Sequence, residues 1–112
     1  MVTPAAGSVV LVPFPFSDLS NSKLRPAVVL ADAGRGDWIL CQVTSNAYGD
    51  AYSVTLHDSS LASGSLRATS HARPGRLFTA SRDLLVAEVG RLKADALRQV
   101  IDAVVAMLRA ER

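Results

Sequence analysis

One arginine stands where an apolar segment begins, in a position that suits phosphate chemistry. The hydrophobic run Val9–Phe16 leads into the polar stretch Ser17–Lys23, and Arg25-Pro26 then opens a second apolar run. A guanidinium group stays charged at neutral pH and binds two phosphate oxygens through its planar fork. Arg25 can therefore stabilise negative charge at the mouth of a small β-fold, beside a loop able to close over it.

A hydroxyl group ends the next apolar run. Trp38–Thr44 finishes in Thr44, which Ser45 follows directly. A hydroxyl at a strand end can donate a hydrogen bond to a developing anion. A difference of one residue in register would give that role to Ser45, so both remain candidates. The alternative interpretation is a solvated arginine at a strand start and a threonine that caps a turn.

Further polar side chains in the second half of the chain suit contacts with a phosphate backbone: Arg67, Ser70, Arg73 and Arg76. Together with Arg25 they can line a groove that tracks such a backbone. Lys23, one step before the Leu24-Arg25 pair, adds another cation. The alternative is codon bias, since Ala, Val and Arg are all plentiful in this chain.

Histidine side chains exchange protons near neutral pH, and the chain has two of them. His71 shares a predicted strand face with Thr69 and Arg73, which makes it a candidate accessory acid or base. The alternative is a surface or partly buried histidine. His57, beside Asp58 at a strand end, is interpreted as structural.

Aromatic side chains can stack on nucleic-acid bases, but most of them here sit in apolar patterns. Phe14, Phe16 and Trp38 are therefore predicted to lie in the core. Tyr48, within Asn46–Asp50, is the best exposed stacking candidate.

Length and composition predict one globular domain over residues 1–112, with 49% hydrophobic residues, 20% charged residues and a net charge of +2. The apolar run near the N-terminus is short and broken by Pro13 and Pro15, so neither a signal peptide nor a membrane span is expected. A single cysteine, Cys41, excludes an intrachain disulfide and favours a cytoplasmic, reducing location. Zinc-ligand spacing, a Gly-rich phosphate loop and a nucleophile elbow are all missing from the sequence.

Apolar and β-branched residues predict four strands: Val9–Phe16, Pro26–Ala31, Trp38–Thr44 and Tyr52–Leu56. Asp32–Asp37 is the expected turn of a central hairpin between the second and third strands. A further strand, Leu66–Thr79, follows the Ser/Gly-rich stretch Asp58–Ser65 and is interrupted by a bulge or turn at Pro74-Gly75.

The C-terminal segment changes its hydrophobic period from two to between three and four residues. Leu97, Val100 and Val104 lie on one stripe, which predicts an amphipathic helix over Ala94–Ala110, after a break at Gly90. Many short strands closed by one terminal helix indicate a mainly β fold, a small and strongly bent barrel.

The region Gly7–Thr44 resembles the MazF/PemK family of toxin endoribonucleases. The resemblance rests on three short stretches: Val12-Pro-Phe-Pro-Phe16, Arg25-Pro26 and Gln42-Val-Thr-Ser45. It implies a mainly β, SH3-like small barrel with a C-terminal helix, the MazF/PemK/CcdB-like toxin fold, assembled as a homodimer. It also implies that Arg25 and Thr44 are the catalytic pair and that Ser70 matches a serine which the family tends to carry.

The resemblance further implies a metal-independent endoribonuclease without cofactors. Such an enzyme cleaves single-stranded RNA or mRNA by attack of the 2′-hydroxyl, and a small antitoxin with an acidic tail neutralises it. The stretch Ser20–Leu24 has neither the Glu nor the Gln of the best-known members, so their preferred RNA sequence does not transfer. The alternative function is a catalytically inactive SH3-like barrel that binds protein or nucleic acid.

Overall fold

A single antiparallel sheet carries most of the chain, in the strand order β4-β6-β3-β2-β1-β7-β5. The structure, a computed structural model, describes residues 2–14 and 23–110. Within these ranges the strands are β1 Ser8–Phe14, β2 Lys23–Gly34, β3 Asp37–Thr44, β4 Val54–Leu56, β5 Leu61–Gly64, β6 Ser70–Ser81 and β7 Ala87–Leu92. Helix α1, Ala94–Arg109, follows the last strand. The sheet curls into a half-barrel, which confirms the predicted mainly β fold with a C-terminal helix.

The predicted central hairpin is formed by β2 and β3, but its turn is shorter than expected. Gly34 pairs with Asp37, so only Arg35 and Gly36 remain between the strands. Both residues have positive φ angles, 58° and 80°. This is the conformation that suits a two-residue hairpin turn, because its twist matches that of the flanking strands. The predicted hairpin is confirmed, but the prediction that Asp32–Asp37 forms its turn is wrong.

Strand β5 and the position of Gly90 correct two sequence predictions. Leu61–Gly64 pairs with β7, within the Ser/Gly-rich stretch Asp58–Ser65, where no strand was predicted. Gly90 lies inside β7 and does not mark a break before the helix. Its Cα packs against the backbone of Gly64, where a side chain would collide with the neighbouring strand. The glycines therefore allow a close approach of two strands.

Strand β6 contains the predicted bulge. Cys41 pairs with Leu77, whereas Val43 pairs with Ala72, so the residues Arg73–Arg76 bulge out where β3 contributes only one residue. The interruption expected at Pro74-Gly75 is confirmed. β6 begins at Ser70 and β4 at Val54, later than the sequence predicted.

Both faces of the central strands are buried. One face packs against α1 through a cluster that includes Val9, Val28, Cys41, Val43, Ala72 and Val100. The other face carries Val10, Val12, Phe14, Ala27, Val29 and Leu40, and the Phe14 and Phe78 rings meet edge to face at 4.6 Å. Phe14 is core as predicted, while Phe16 lies outside the described residues.

Helix α1 ends at Arg109 and matches the predicted segment to within one residue. Its stripe is only partly covered: Val100 and Val104 are buried, whereas the Leu108 side chain is 69% exposed. Across the described parts of the chain, no helix has the length and apolar character that crossing a membrane requires.

Candidate functional site

Strand pairing brings residues from four strands into one line. Thr44 on β3 pairs with His71 on β6, and His71 pairs with Thr55 on β4. The register of β2 and β3, extended by two residues beyond their last pair, puts Arg25 opposite Thr44. Residues directly opposite each other on neighbouring strands project from the same face, with Cβ atoms about 5 Å apart. Arg25, Thr44, His71 and Thr55 therefore form a polar row.

Hydrogen bonds fix the middle of the polar row. The Thr44 Oγ1 atom accepts a hydrogen bond from the backbone N–H of Asn46 at 3.1 Å. The His71 Nδ1 atom lies 3.4 Å from Thr55 Oγ1. The Asn46 contact uses an acceptor position of the Thr44 oxygen and not its proton, so the hydroxyl of Thr44 can still donate to an acceptor in the cleft.

A cleft of about 600 Å³ opens beside the polar row. Its polar lining consists of Arg25, Thr44, Ser45, Asn46, Arg67 and Ser70. The fold thus brings five predicted site residues, which span more than forty positions of the sequence, to one cavity. Apolar residues line the rest of it, among them Leu24, Pro26 and Leu66.

The positive charge in this cleft is available to a ligand. Arg25 and Arg67 are exposed, and neither forms an ion pair with any residue in the described ranges. Ser70 is buried, and its hydroxyl donates to the carbonyl of Ala68 at 2.9 Å. Ser70 therefore shapes the cleft wall, while the two arginines supply the charge.

Arg73 and Arg76 lie apart from this cleft. They line a second, smaller depression of about 260 Å³, together with Asp50, Tyr52 and Met107. The Arg73 Nε atom donates to Asp50 Oδ2 at 2.6 Å, and its Nη2 atom donates to Asp50 Oδ1 at 3.4 Å. This hydrogen bond, together with the arginine charge, lowers the pKa of the Asp50 carboxyl below its ordinary value.

Tyr48 lines neither cavity but contacts Arg73, which lines the second one. Its side chain is 59% exposed, in agreement with the predicted exposure, and its ring lies 4.1 Å from the guanidinium carbon of Arg73. The pKa of Tyr48 is lowered, chiefly by a hydrogen bond from the Asn46 side chain, then by the charge of Arg73, a hydrogen bond from Thr44 and the charge of Arg25.

The remaining predicted positions lie further away. Lys23 is exposed at the start of β2, opposite Phe14, and does not line the cleft. Apart from Lys23, the predicted loop Ser17–Lys23 lies outside the described residues. The His57 backbone N–H donates to the Ser60 hydroxyl at 3.1 Å. Nowhere in residues 2–14 and 23–110 do three His, Cys, Asp or Glu side chains come together as a metal site.

Comparison with known proteins identifies the family. The family described as "PemK-like, MazF-like toxin of type II toxin-antitoxin system" matches residues 5–108. The chain belongs to the PemK/MazF toxin family. The resemblance seen in the sequence is thereby confirmed. No curated protein sequence matches the chain.

Solved structures of PemK/MazF toxins share the fold. MazF in a MazE-MazF crystal structure from Deinococcus radiodurans (Form-II) is 26% identical, with 99% of this chain and 100% of that chain covered and a TM-score of 0.75. MazF of the same organism (Form-I) is 25% identical over 98% of this chain and 100% of that chain, with a TM-score of 0.74. The Mycobacterium tuberculosis toxin MazF-mt6 is 16% identical over 94% and 99%, with a TM-score of 0.72, and shares the fold.

Three residues in and around the candidate site were not predicted from the sequence. Asn46 contacts Thr44 and Tyr48, and a Thr-Ser-Asn run at a strand end is typical of side chains that bond back to the backbone. Thr55 reaches His71 only through strand pairing, for which no local pattern exists. Asp50, the partner of Arg73, is 23 residues away in the sequence, so no local pattern predicted this pair either.

Proposed function

We propose that this chain is an endoribonuclease toxin that cleaves single-stranded RNA without a metal ion. The observation that carries the proposal is that Arg25 and Thr44 line one open cleft, whose cations lack carboxylate partners within the described ranges. Membership of the PemK/MazF toxin family supports the same activity.

RNA carries its own nucleophile, so the protein needs to align and stabilise rather than to attack. The 2′-oxygen attacks the adjacent phosphorus, the bond to the 5′-oxygen breaks, and the products are a 2′,3′-cyclic phosphate and a 5′-hydroxyl. Arg25 binds two non-bridging oxygens through its fork and stabilises the charge that grows on them. The Thr44 hydroxyl donates a hydrogen bond to the same anion.

Proton transfer is the second requirement, because the 2′-hydroxyl loses a proton and the departing 5′-oxygen gains one. His71 is the neighbour of Thr44 in the polar row, and imidazole exchanges protons near neutral pH. Thr55 contacts the Nδ1 atom of His71, which orients the ring. His71 is therefore the accessory acid or base of the proposal.

Substrate binding uses the cations at the margin of the cleft. Arg67 lines the cleft and is exposed, so it is suited to a phosphate next to the scissile one. Lys23 and Arg76 are also exposed, although both lie outside the cleft, and they are the proposed contacts for more distant phosphates. Ser45 is the alternative donor at the cleft, although the strand register favours Thr44.

An antitoxin is the proposed partner. Neighbouring solved structures are MazE-MazF complexes, and an "endoribonuclease in complex with its cognate antitoxin from Mycobacterial species" shares the fold at 16% identity. An acidic antitoxin segment would compete with RNA for Arg25 and Arg67, because both ligands need the same guanidinium groups. A homodimer would bury exposed apolar side chains such as those of Leu108 and Val86.

The decisive experiment incubates purified protein with a long RNA in excess EDTA, with the Arg25→Ala variant, prepared identically, as the control for contaminating nucleases. Cleavage by the wild type alone, with 2′,3′-cyclic phosphate ends, is the expected result. Loss of cleavage in EDTA and recovery with magnesium would contradict the metal-free reaction. RNA binding without cleavage under any condition would favour the inactive binding module.

A further inference from the structure

Gln42 is a polar side chain among apolar neighbours in the middle of β3. It is only 7% exposed, and its Oε1 atom is buried without a hydrogen-bond partner. No other buried side-chain oxygen or nitrogen of the described residues lacks a partner. Folded proteins pair nearly all such atoms, because a buried carbonyl without a donor loses its water and gains nothing in return. This oxygen therefore points to a donor that reaches it in another state of the protein.

Strand register shows which side chains lie beside Gln42. It pairs with Ala27 on β2. Thr44 lies two residues further along β3, Arg25 lies two residues before Ala27, and residues two apart in a strand project from the same face. Gln42 and Arg25 are thus diagonal neighbours on one face, with Cβ atoms about 7 Å apart, a distance that long side chains span.

Three side chains near Gln42 carry hydrogen-bond donors: Arg25, Thr44 and Arg73. Arg73, on the bulge of β6 that faces Gln42, donates through Nε and Nη2 to Asp50. Thr44 offers a single hydroxyl proton. Arg25 is exposed and pairs with no carboxylate of the described chain, and its guanidinium has five N–H donors. A phosphate held by one edge of the fork leaves N–H groups of Arg25 for a second acceptor.

We propose that Gln42 is a positioning residue for Arg25, whose guanidinium donates to Gln42 Oε1 when it binds the scissile phosphate. The inference rests on the proposed function, because it assigns a part of the same reaction. The last torsion of a glutamine side chain is broad, so the amide oxygen turns readily toward β2. Gln42 then fixes the direction of the Arg25 fork, and a fixed fork meets the phosphate oxygens in the geometry that the reaction needs.

The pairing depends on the ligand for an electrostatic reason. In the free protein, moving the guanidinium of Arg25 onto a buried amide would remove water from an unpaired charge, which is unfavourable. A phosphate on the opposite edge of the fork compensates that charge through short, charge-assisted hydrogen bonds. Arg25 is therefore exposed without RNA and held by Gln42 with RNA.

The first arm of the test measures stability without RNA. Gln42→Met keeps the length of the side chain and removes the unpaired oxygen, so Tm should rise by about 2 °C or more. Gln99→Met is the matched control, since Gln99 is exposed on α1, and its Tm should stay within about 1 °C of the wild type. An unchanged or lower Tm in Gln42→Met would mean that the free protein already satisfies the amide, which overturns the inference.

The second arm is a double-mutant cycle on single-turnover cleavage. Gln42→Met should slow cleavage by roughly tenfold, both in the wild type and in the Thr44→Val background. In the Arg25→Ala background it should change the rate by less than about twofold, because the side chain that Gln42 positions is gone. A full tenfold loss in Arg25→Ala would show that Gln42 acts independently of Arg25. A loss that disappears in Thr44→Val instead would assign the oxygen to Thr44, and either result contradicts the inference.

The third arm needs no cleavage. NMR of protein labelled with ¹⁵N-arginine follows the Nε–H signal of Arg25, assigned with Arg25→Ala, as a mixed-sequence 2′-fluoro RNA is added. Exchange of this proton with water should slow by about tenfold in the wild type and by much less in Gln42→Met. If the wild type cleaves no RNA but shows this difference, the proposed function fails while Gln42 still positions Arg25 on a bound phosphate. Equal exchange in the two proteins would overturn the inference, whether or not RNA is cleaved.

Discussion

Two arginines flank the end of β3, one on each neighbouring strand, and their surroundings are opposite. Arg25 on β2 is exposed and has no ion-pair partner among the described residues. Arg73 on β6 is largely buried, paired with Asp50 and covered by Tyr48. One charge is available for a ligand, and the other is used to hold the protein's own chain.

Because of this contrast, removing each side chain should affect a different property of the protein. An exposed arginine without partners contributes little to stability, so its removal should affect mainly ligand binding and turnover. A paired arginine leaves a carboxylate without its hydrogen bonds when it is removed, so its loss should affect stability first. Substitution of Arg25 therefore tests function, and substitution of Arg73 tests stability, at two arginines on either side of Thr44.

The largest expected effect is on catalysis by Arg25→Ala. Its kcat should fall by roughly a hundredfold or more, while RNA binding weakens far less, because the charge that Arg25 stabilises grows in the transition state. Arg25→Lys should not restore the rate, since a single ammonium lacks the fork. Single-turnover cleavage assays measure both, and wild-type rates in Arg25→Ala would remove Arg25 from the mechanism.

The next effect decides which hydroxyl acts opposite Arg25. Thr44→Val keeps the shape of the side chain and removes the oxygen, so cleavage should fall by about tenfold to a hundredfold. Ser45→Ala is the matched control and should change the rate by less than about threefold, because the register aligns Thr44 with Arg25. The reverse order of effects would transfer the role to Ser45.

The sequence singled out Arg25 and Thr44 but did not predict that Arg73 pairs with Asp50. Arg25 and Thr44 belong to short motifs, and their strands are continuous apolar runs. Local patterns were therefore enough to place both residues at strand ends. The pairing of Arg73 could not be predicted because Asp50 comes from the irregular segment before β4, 23 residues from Arg73. A sequence shows that an arginine is present, but only the folded chain decides whether a carboxylate reaches it.

The same limit explains the errors in the fold. Three of the four residues of β5, Ala62, Ser63 and Gly64, have little strand preference, and Gly64 and Gly90 let β5 and β7 approach closely. The stretch Asp32–Asp37 contains two Gly and two Asp residues, so composition could not show that Arg35 and Gly36 alone form the turn of the central hairpin. Helix α1, with its long regular stripe, was predicted to within one residue.

A third prediction concerns stability and its dependence on pH. Arg73→Gln should lower Tm by several degrees at neutral pH, against less than about 2 °C for Arg25→Ala. The Asp50 pKa is lower in the folded protein than its ordinary value of about 3.9, so the pair stabilises the fold above that pH. Its contribution is lost as the pH falls through the folded pKa.

Thermal unfolding of both variants and the wild type from pH 7 to pH 2.5 measures this effect. The Tm difference between Arg73→Gln and the wild type should shrink below about pH 4. The Arg25→Ala difference should stay small throughout, since no carboxylate of the described chain is paired with Arg25. A constant Tm deficit for Arg73→Gln at all pH values would mean that the Asp50 carboxylate is not the partner that matters.

The smallest expected effect uses Cys41 as a reporter on the strand beside the bulge. Burial raises the pKa of the Cys41 thiol to about 11, although a hydrogen bond with the Arg73 backbone opposes the rise. Because the thiolate is the reactive form, alkylation in the native protein requires local opening of β3 and β6.

Arg73→Gln removes the Asp50–Arg73 ion pair, which joins the bulge to residues 45–53. Iodoacetamide should therefore modify Cys41 a few times faster in this variant than in the wild type. Arg25→Ala leaves this side of β3 untouched and should react at the wild-type rate. Mass spectrometry at fixed times gives both rates, and equal modification of the two variants would show that the Asp50–Arg73 pair does not hold the bulge closed.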